Sequence, residues 1–368
     1  MNPRKAGTAL FCSFLLSGAL YAQAPAAPAA PAPTPFLRFS GLADVYGSYS
    51  ANDPASRLNY LRNFDTQANK FALNMAKLTI DHDANPVGFR VDLGAGRAMG
   101  VFNFQDDING FRGMRYVPQA YVTLKPQSWN GFQVDFGKFY TSAGAELTET
   151  YLGWNYSRAL MYANGPYYHF GVRATKPVTD KLTLGFQVVN GWNNVDDNNS
   201  GKTLGFTALY TEKKWSIAQN YYTGPEKTDT NKGWRNFSDT VLNLTLTDKW
   251  TSYVNFDYGH ERMAFANGKG AKWWAIANAH RYQITERVAA AVRIEHYNDT
   301  DGFITGSAKH INDFTLTGEY AWSKWALTRA EYRIDWSNVE AFEKGLGGSS
   351  KTQPTFLVGL VVYFGPKR

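Results

Sequence analysis

A strict alternation of short and long connections between strand-like segments constrains this chain more than any single motif. From residue 36 onward, sixteen segments of about 9–14 residues alternate apolar and polar side chains with a period of two, which is typical of β-strands. Seven short polar connections join these segments into hairpins, and eight longer tracts rich in Asn, Gly and Asp separate the hairpins. This order places all short turns at one end of a sheet and all long loops at the other.

The pattern predicts an all-β fold, a transmembrane antiparallel β-barrel of about sixteen strands with short periplasmic turns and long extracellular loops. Outer-membrane barrels have this asymmetry of connections and an even number of strands, and a tilted strand of about 9–11 residues crosses the hydrocarbon layer. A barrel of sixteen strands is too wide for strand side chains to fill, so we expect an aqueous interior and an apolar face in contact with lipid. A soluble sandwich with an apolar core is the alternative. We expect strands near residues 36–50, 71–82, 87–95, 115–124, 132–139, 167–175, 182–192, 202–211, 215–224, 236–246, 250–261, 271–284, 287–297, 309–321, 325–337 and 352–364.

Composition excludes several other classes of protein. Aromatic residues make up 15% of the 368 residues, which is too many for a disordered chain. After the first 25 positions no charge-free apolar run reaches about 18 residues, so a helical membrane protein is excluded. Trp215, Trp250 and Trp325 each follow a Lys where a strand begins after a short turn, as in an aromatic girdle at a membrane surface.

The first 24 residues predict a signal peptide. Arg4 and Lys5 precede the apolar stretch from Ala6 to Leu20, and Ala22-Gln23-Ala24 fits a cleavage site. Cleavage would remove these two cations and lower the formal charge from +7 to +5. It would also remove Cys12, the only cysteine, so the mature chain has neither disulfides nor cysteine metal sites.

Residues 25–35 (PAAPAAPAPTP) predict an Ala/Pro-rich periplasmic linker, because proline favours extended polyproline II. Residues 36–368 are then a single barrel domain in the outer membrane of a Gram-negative bacterium. The positive charge of the mature chain mildly favours anionic solutes, and it equally suits contact with the phosphates of lipopolysaccharide.

Charged residues recur on the polar face of the predicted strands, where they would line the lumen. Such charges can set ion preference, or they can pair laterally and steady the barrel, and the two interpretations are compatible. The candidates for the lumen wall are Arg90, Asp92, Arg173, Arg293, Glu295, Asp313, Glu319, Arg329, Glu331, Arg333 and Asp335.

Residues 140–166 form the longest predicted loop and the best candidate for a pore constriction. This loop carries Glu146, Glu149 and Arg158 among small and aromatic residues. If the loop folds inward, its carboxylates would face arginines of the wall and create a transverse field that orients dipolar solutes. If it packs outward, it is a surface cap.

Several short stretches, spread from about residue 36 to residue 364, point to one family. They are FSGLADVY (39–46), QAYV (119–122), VDFGKF (134–139), GAE (144–146), NYSR (155–158), YHFGVRA (168–174), VVNGWN (188–193), NYYTGPE (220–226), TLT (315–317) and EYRID (331–335). Together they resemble the β-barrel porin-2, OmpL-like family. The resemblance implies an outer-membrane β-barrel that acts as a porin, and it supplies no catalytic residue.

The last segment, FLVGLVVYF (356–364), resembles the final strand with a terminal aromatic residue that the outer-membrane barrel assembly machinery recognises. It departs from that pattern because Gly365, Pro366, Lys367 and Arg368 follow Phe364. Recognition of this chain would therefore use an internal signal.

The sequence thus predicts a porin with a water-filled channel for passive diffusion of small hydrophilic solutes. We expect no catalytic residue, cofactor, metal ligand or nucleic-acid partner, since none of the six histidines has a flanking Ser that completes a catalytic motif. The expected partners are outer-membrane lipid, lipopolysaccharide, the assembly machinery and, by analogy with general porins, two further copies in a homotrimer. Two alternatives stay open. One is a plugged, non-conducting barrel whose long loops bind a partner or surface polymer, and the other is a periplasmic carbohydrate binder.

Overall fold

The computed structural model describes residues 36–109 and 112–365, so the predicted signal peptide and linker lie outside the described residues. Sixteen strands form one closed barrel, in which each strand pairs antiparallel with the next along the chain. The first strand closes the barrel against the last, with Gly41 opposite Phe364 and Ser50 opposite Thr355. The predicted fold class and strand number are confirmed.

Strands are numbered in chain order, and β16 and β17 form a small separate hairpin in the last loop. The barrel strands are β1 Arg38–Ser50, β2 Phe71–His82, β3 Val87–Ala95, β4 Gln119–Leu124, β5 Gln133–Tyr140, β6 Tyr168–Pro177, β7 Leu182–Val189, β8 Thr203–Thr211, β9 Trp215–Gly224, β10 Arg235–Thr245, β11 Trp250–Glu261, β12 Ala271–Gln283, β13 Val288–Asp299, β14 Lys309–Ser323, β15 Ala326–Ser337 and β18 Thr352–Phe364. The hairpin is β16 Phe342–Lys344 with β17 Gly348–Ser350. Short helices α1 Arg97–Phe102, α2 Phe104–Asn109 and α3 Leu160–Ala163 lie in loops.

Most strand ends agree with the prediction to within two residues, and two differ by three or four residues for local reasons. Strand β4 begins at Gln119 rather than near 115, because Arg112–Tyr116 forms a turn of 3-10 helix. Strand β7 ends at Val189 rather than near 192, because Gly191 adopts a φ of 108° that leaves the extended region.

The apolar face of the strands points outward. Ile294, Leu316 and Phe356 are 56%, 50% and 48% exposed, whereas Arg293 and Asp313, at inward positions of the same strands as Ile294 and Leu316, are fully buried inside the barrel. An outer surface of large apolar side chains suits lipid and excludes a soluble sandwich with an oily centre. Trp215, Trp250 and Trp325 all lie at the turn end and are 40–42% exposed, as an aromatic girdle requires.

Three loops fold into the extracellular half of the barrel: residues 51–70, 96–118 and 141–167. Arg62 of the first forms an ion pair with Asp335 of β15 at 2.7 Å. The ring of Phe102, in the second, packs 5.2 Å from that of Tyr140. The interior here is packed rather than simply aqueous, because the loops supply side chains that a wide ring of strands cannot.

No helix within the described ranges is long and apolar enough to cross a membrane.

Candidate functional site

The β5–β6 loop (residues 141–167) crosses the lumen instead of packing outward. At one side of the barrel, the amide of Ala145 donates to Asn255 Oδ1 of β11 at 2.8 Å. At the other side, Tyr156 Oη donates to Asp44 Oδ1 of β1 at 2.6 Å. Between these points, Asn155 Nδ2 donates to Thr317 Oγ1 of β14 at 2.8 Å. The loop therefore lies inside the barrel, and its role as a pore constriction stays a prediction.

Glu146 of the loop faces an arginine of the wall. One of its carboxylate oxygens lies 2.7 Å from Arg293 Nη1 of β13, and the other accepts the backbone N–H of Ala159 at 2.6 Å. Arg293 also pairs with Asp313 of β14 at 2.7 Å. The guanidinium therefore joins the loop to two strands and is fully buried.

A row of alternating charges continues from Arg293 across the next strands. Asp313 of β14 lies 3.0 Å from Arg333 of β15, and Arg333 pairs with Asp335 at 2.8 Å. Arg62, which the sequence analysis did not single out, adds a fifth charge to the row through Asp335. These ion pairs run laterally along the wall, so the interpretation that they steady the barrel fits the geometry.

Two wall carboxylates bind the backbone of the loop rather than cations. Glu295 accepts the amides of Leu160 and Met161 at 2.6 and 2.7 Å. Glu331 accepts the amides of Tyr156 and Ser157 at 2.6 and 3.0 Å. Each carboxylate satisfies two buried N–H groups that would otherwise lack a partner.

Wall arginines bind loop carbonyls in the complementary way. Arg329 donates to the carbonyl oxygens of Thr150, Gly153 and Asn155 at 2.6, 2.5 and 2.9 Å. It also pairs with Glu319 at 2.7 Å. The loop is thus held by charge-assisted hydrogen bonds from donors and acceptors of the same wall.

The other two constriction candidates, Glu149 and Arg158, contact the wall and the loop itself. Glu149 bonds Lys77 of β2, and Lys77 reaches Asp92 at 3.0 Å. Arg158 lies within the loop and donates to the carbonyls of Leu147, Thr148 and Tyr156, so it holds the shape of the loop. The buried guanidinium supplies hydrogen-bond donors to loop carbonyl oxygens that would otherwise have none. The amino-acid sequence does not reveal which carbonyl groups of a loop will lack a backbone partner.

The last wall candidates form short lateral pairs on the opposite side of the barrel. Arg90 bonds Asp92 on its own strand at 2.9 Å. Arg173 of β6 pairs with Asp135 of β5 at 2.8 Å and lies 4.4 Å above the ring of Phe139. These pairs stabilise the wall, and Asp92 also shares Lys77 with Glu149 of the β5–β6 loop.

A pair of acidic residues that the sequence analysis missed faces the loop from β10 and β11. Asp239 and Asp257 lie directly opposite each other in the strand register and are buried. Asn255 Nδ2 donates to both, at 2.7 and 3.2 Å. In the part of the chain that the structure describes, neither carboxylate has a Lys, Arg or His within 4 Å. Polar residues on the outer face of β10, Asn236, Ser238 and Thr240, blur the alternation that would have revealed Asp239.

A cavity with about 370 Å³ of empty space, partly open to solvent, lies between this acidic pair and the β5–β6 loop. Its lining includes Glu146, Asp257, Tyr253, Phe237 and Met161. Among the described residues, no group of three or more His, Cys, Asp or Glu side chains is arranged to hold a metal ion.

A closed sixteen-stranded barrel with polar residues inside, apolar residues outside and a long loop in the lumen has the architecture of an outer-membrane porin. The chain belongs to the family described as "Putative beta-barrel porin-2, OmpL-like", whose match covers residues 37–364. The resemblance inferred from short sequence stretches is thereby confirmed. No curated protein matches this chain in sequence.

Solved porins share the fold. The anion-selective porin from Comamonas acidovorans superposes with a TM-score of 0.60 at 12% identity, covering 89% of this chain and 99% of that chain. OmpF of Salmonella typhi in complex with daunomycin gives 0.59 at 15% identity, covering 89% and 97%. The trimer form of OmpT, an outer membrane protein of Vibrio cholerae, gives 0.57 at 14% identity, covering 89% and 99%. At these identities the likeness concerns the fold.

Proposed function

We propose that this porin resides in the bacterial outer membrane and passes small hydrophilic solutes by passive diffusion, through a lumen that the β5–β6 loop narrows. The observation that carries the proposal is the position of that loop, which reaches from β11 to β1 across the barrel. Glu146 would meet solutes at the constriction, because it lines the cavity beside the loop. Glu149 and Arg158 would act indirectly, by keeping the loop in place.

Deletion of residues 144–158 tests this proposal in planar bilayers. The purified wild-type protein should give stepwise conductance, and the deletion should raise the conductance of each step because it removes the narrowest part. Deletion of residues 264–268 in the exposed β11–β12 loop is the matched control and should leave conductance unchanged. Equal conductance in wild type and the 144–158 deletion would remove the loop from the permeation path.

Solute preference should follow the acidic pair. Asp239 and Asp257 lack a cationic partner among the described residues, and Asp257 lines the cavity beside the loop. Carboxylates in a narrow aqueous passage attract cations and repel anions. We therefore propose a preference for cations over anions of similar size at the constriction, in contrast to the anion preference that the net charge of the mature chain suggests.

A plugged barrel is the second candidate, and the burial of the lumen charges favours it. Arg293, Arg329, Arg333, Glu295 and Glu331 are at most 2% exposed. In that case the loops would bind a partner or surface polymer, and the wild-type protein would stay silent in bilayers at every voltage and pH. The 144–158 deletion should then open a channel that the wild type lacks.

The proposal also covers the oligomeric state of the protein. We propose a homotrimer, supported by the trimeric form of one structural neighbour, and mass measurement of the detergent complex tests it.

We also propose a channel without enzymatic activity. Among the described hydrogen bonds, no histidine contacts a serine hydroxyl, whereas a Ser–His hydrolase requires that contact.

A further inference from the structure

A polar patch interrupts the apolar outer surface at the extracellular ends of β12, β13 and β14. Its side chains occupy outward positions of the alternation, on the extracellular side of the exposed apolar residues Ile276, Ile294 and Leu316. We call these residues the histidine patch: Lys272, Trp274, His296, Asn298, His310 and Asn312.

The side chains of the histidine patch are ordered by one another across the strands. The ring of His296 stacks 5.8 Å from that of His310 and 5.0 Å from that of Trp274. His296 Nδ1 lies 2.8 Å from Asn312 Oδ1, and His310 Nδ1 lies 3.0 Å from Asn298 Nδ2. Within the described residues, no hydrogen bond uses the Nε2 atom of either histidine, so both can bind a ligand outside the barrel.

On the opposite side of the barrel, the extracellular ends of the strands carry the apolar outward residues that suit contact with lipid chains. The outward residues there are Tyr49 of β1, Phe71 of β2 and Phe356 of β18, and they are 62%, 95% and 48% exposed. Outward imidazole and amide groups are unfavourable against hydrocarbon, because each leaves hydrogen-bonding capacity without a partner. The patch therefore matches a polar occupant.

Exposed charge around the histidine patch is mainly positive. Lys272 and the neighbouring loop residues Arg262 and Lys269 are exposed cations, and Asp301 is the one exposed acid on the β11–β12 and β13–β14 loops, which the structure describes in full. Asp301 already accepts the backbone N–H of Lys272 at 2.9 Å. Cations beside hydrogen-bonding imidazoles and an aromatic face suit a phosphorylated sugar.

We propose that the histidine patch binds the phosphorylated glucosamine headgroup of lipopolysaccharide. Lys272, with Arg262 and Lys269 above it, meets the phosphate, while the Nε2 atoms of His296 and His310 bond sugar hydroxyl groups. The long-loop end of an outer-membrane barrel lies in the leaflet that carries lipopolysaccharide, so the headgroup is at the level of the patch. The inference needs only that the barrel is inserted in the outer membrane, and it stands whether or not the lumen conducts.

Titration of purified lipid A into the detergent-solubilised full-length protein, followed by native mass spectrometry, tests the inference. The double variant H296L/H310L should bind lipid A about tenfold more weakly, the effect of losing two hydrogen bonds. The variant K272Q should bind about fivefold more weakly, since it removes one cation from the anionic lipid surface. The matched control Y49L/F71L, outward at the same end on the other side, should bind as the wild type does.

Wild-type protein should also bind dephosphorylated lipid A more weakly than lipid A. Equal binding of the two lipids, or equal lipid A binding by wild type and H296L/H310L, would overturn the proposal. A change in oligomeric mass with unchanged lipid A binding would instead assign the patch to a second copy of this chain and would equally overturn it. Heat-modifiable gel migration confirms that each variant is folded, and unchanged bilayer conductance separates this result from any failure of the proposed channel.

Discussion

Charged residues on two sides of the same lumen have different kinds of partner. On the β13–β15 side, every charged candidate is paired with an opposite charge or with the backbone of the β5–β6 loop. On the β10–β11 side, Asp239 and Asp257 have amide partners and no cation among the described residues. The difference teaches that charge inside a barrel has two uses. Paired groups hold the loop, whereas the buried acidic pair leaves negative charge without a cation beside the lumen.

The largest expected effect is on the paired side. Replacement of Arg293 by Met leaves Glu146 without its cation and Asp313 with Arg333 alone, and breaking a buried ion pair in this way costs about 3–5 kcal/mol. We expect that loss in the free energy of unfolding, measured by urea titration in micelles, together with higher conductance from a loosened loop. K181M, at the exposed pair with Glu212, is the control and should change neither quantity. A stable R293M protein with wild-type conductance would contradict the anchoring role.

Glu226 sharpens the comparison outside the membrane-spanning strands. Like Glu295, it accepts a backbone amide, that of Trp192 at 2.8 Å, and it also accepts Thr203 Oγ1 at 2.6 Å. Burial raises the pKa of Glu226 to about 7, above its ordinary value of 4.5. The folded state therefore holds this proton more tightly than the unfolded state, and stability should fall as the pH rises from about 4.5 to about 7.

Since Glu226 keeps some solvent contact, the change should be about 2 kcal/mol. Unfolding titrations at pH 4.5 and 7.5 measure it, and the variant E226Q should lose this part of the pH dependence. A wild-type protein whose stability rises over this range, with E226Q behaving identically, would contradict the assignment.

Arg158 tests whether the shape of the loop matters separately from its attachment to the wall. R158M removes charge-assisted hydrogen bonds to the carbonyls of Leu147, Thr148 and Tyr156. We expect about 2 kcal/mol lower stability and a noisier open-channel current, since the wall contacts remain while the loop loses its internal support. R158K restores the charge without the forked geometry and should recover only part of the loss. Quiet currents in R158M would show that the wall contacts alone fix the loop.

The smallest expected change in free energy concerns Asp239 and Asp257 on the β10–β11 side. It is also the change most specific for transport. The double variant D239N/D257N keeps the volume of both side chains and removes their charge. We expect the ratio of potassium to chloride permeability, from reversal potentials at low salt, to fall by about fivefold. Two carboxyl groups directly opposite each other hold one negative charge between them, and one charge near the path is worth about 1 kcal/mol in water. D248N in an exposed periplasmic turn is the control. An unchanged ratio would place permeation away from β10 and β11.

Agreement between sequence and structure was close for the strands and partial for the site. Alternation identified β13–β15 and the inward direction of Arg293, Arg329 and Arg333, because a period of two assigns every residue of a regular strand to one face. It failed for Asp239, whose outward neighbours are polar, and it could not foresee that Glu295 and Glu331 bind backbone amides of the loop. Every residue except proline has a backbone N–H group, so the residue type does not predict which of these groups will bind a wall carboxylate.

The amino-acid sequence by itself determined the ring of sixteen strands, the lipid-facing side and the length of the loop that fills the lumen. These follow from local periodicity and from where apolar side chains must go. Only the tertiary structure decided that Arg158 turns into the loop, that Asp239 meets Asp257, and that His296 stacks on His310. Those contacts join residues brought together by the closure of the barrel and the folding of the loop, and no spacing along the chain specifies them.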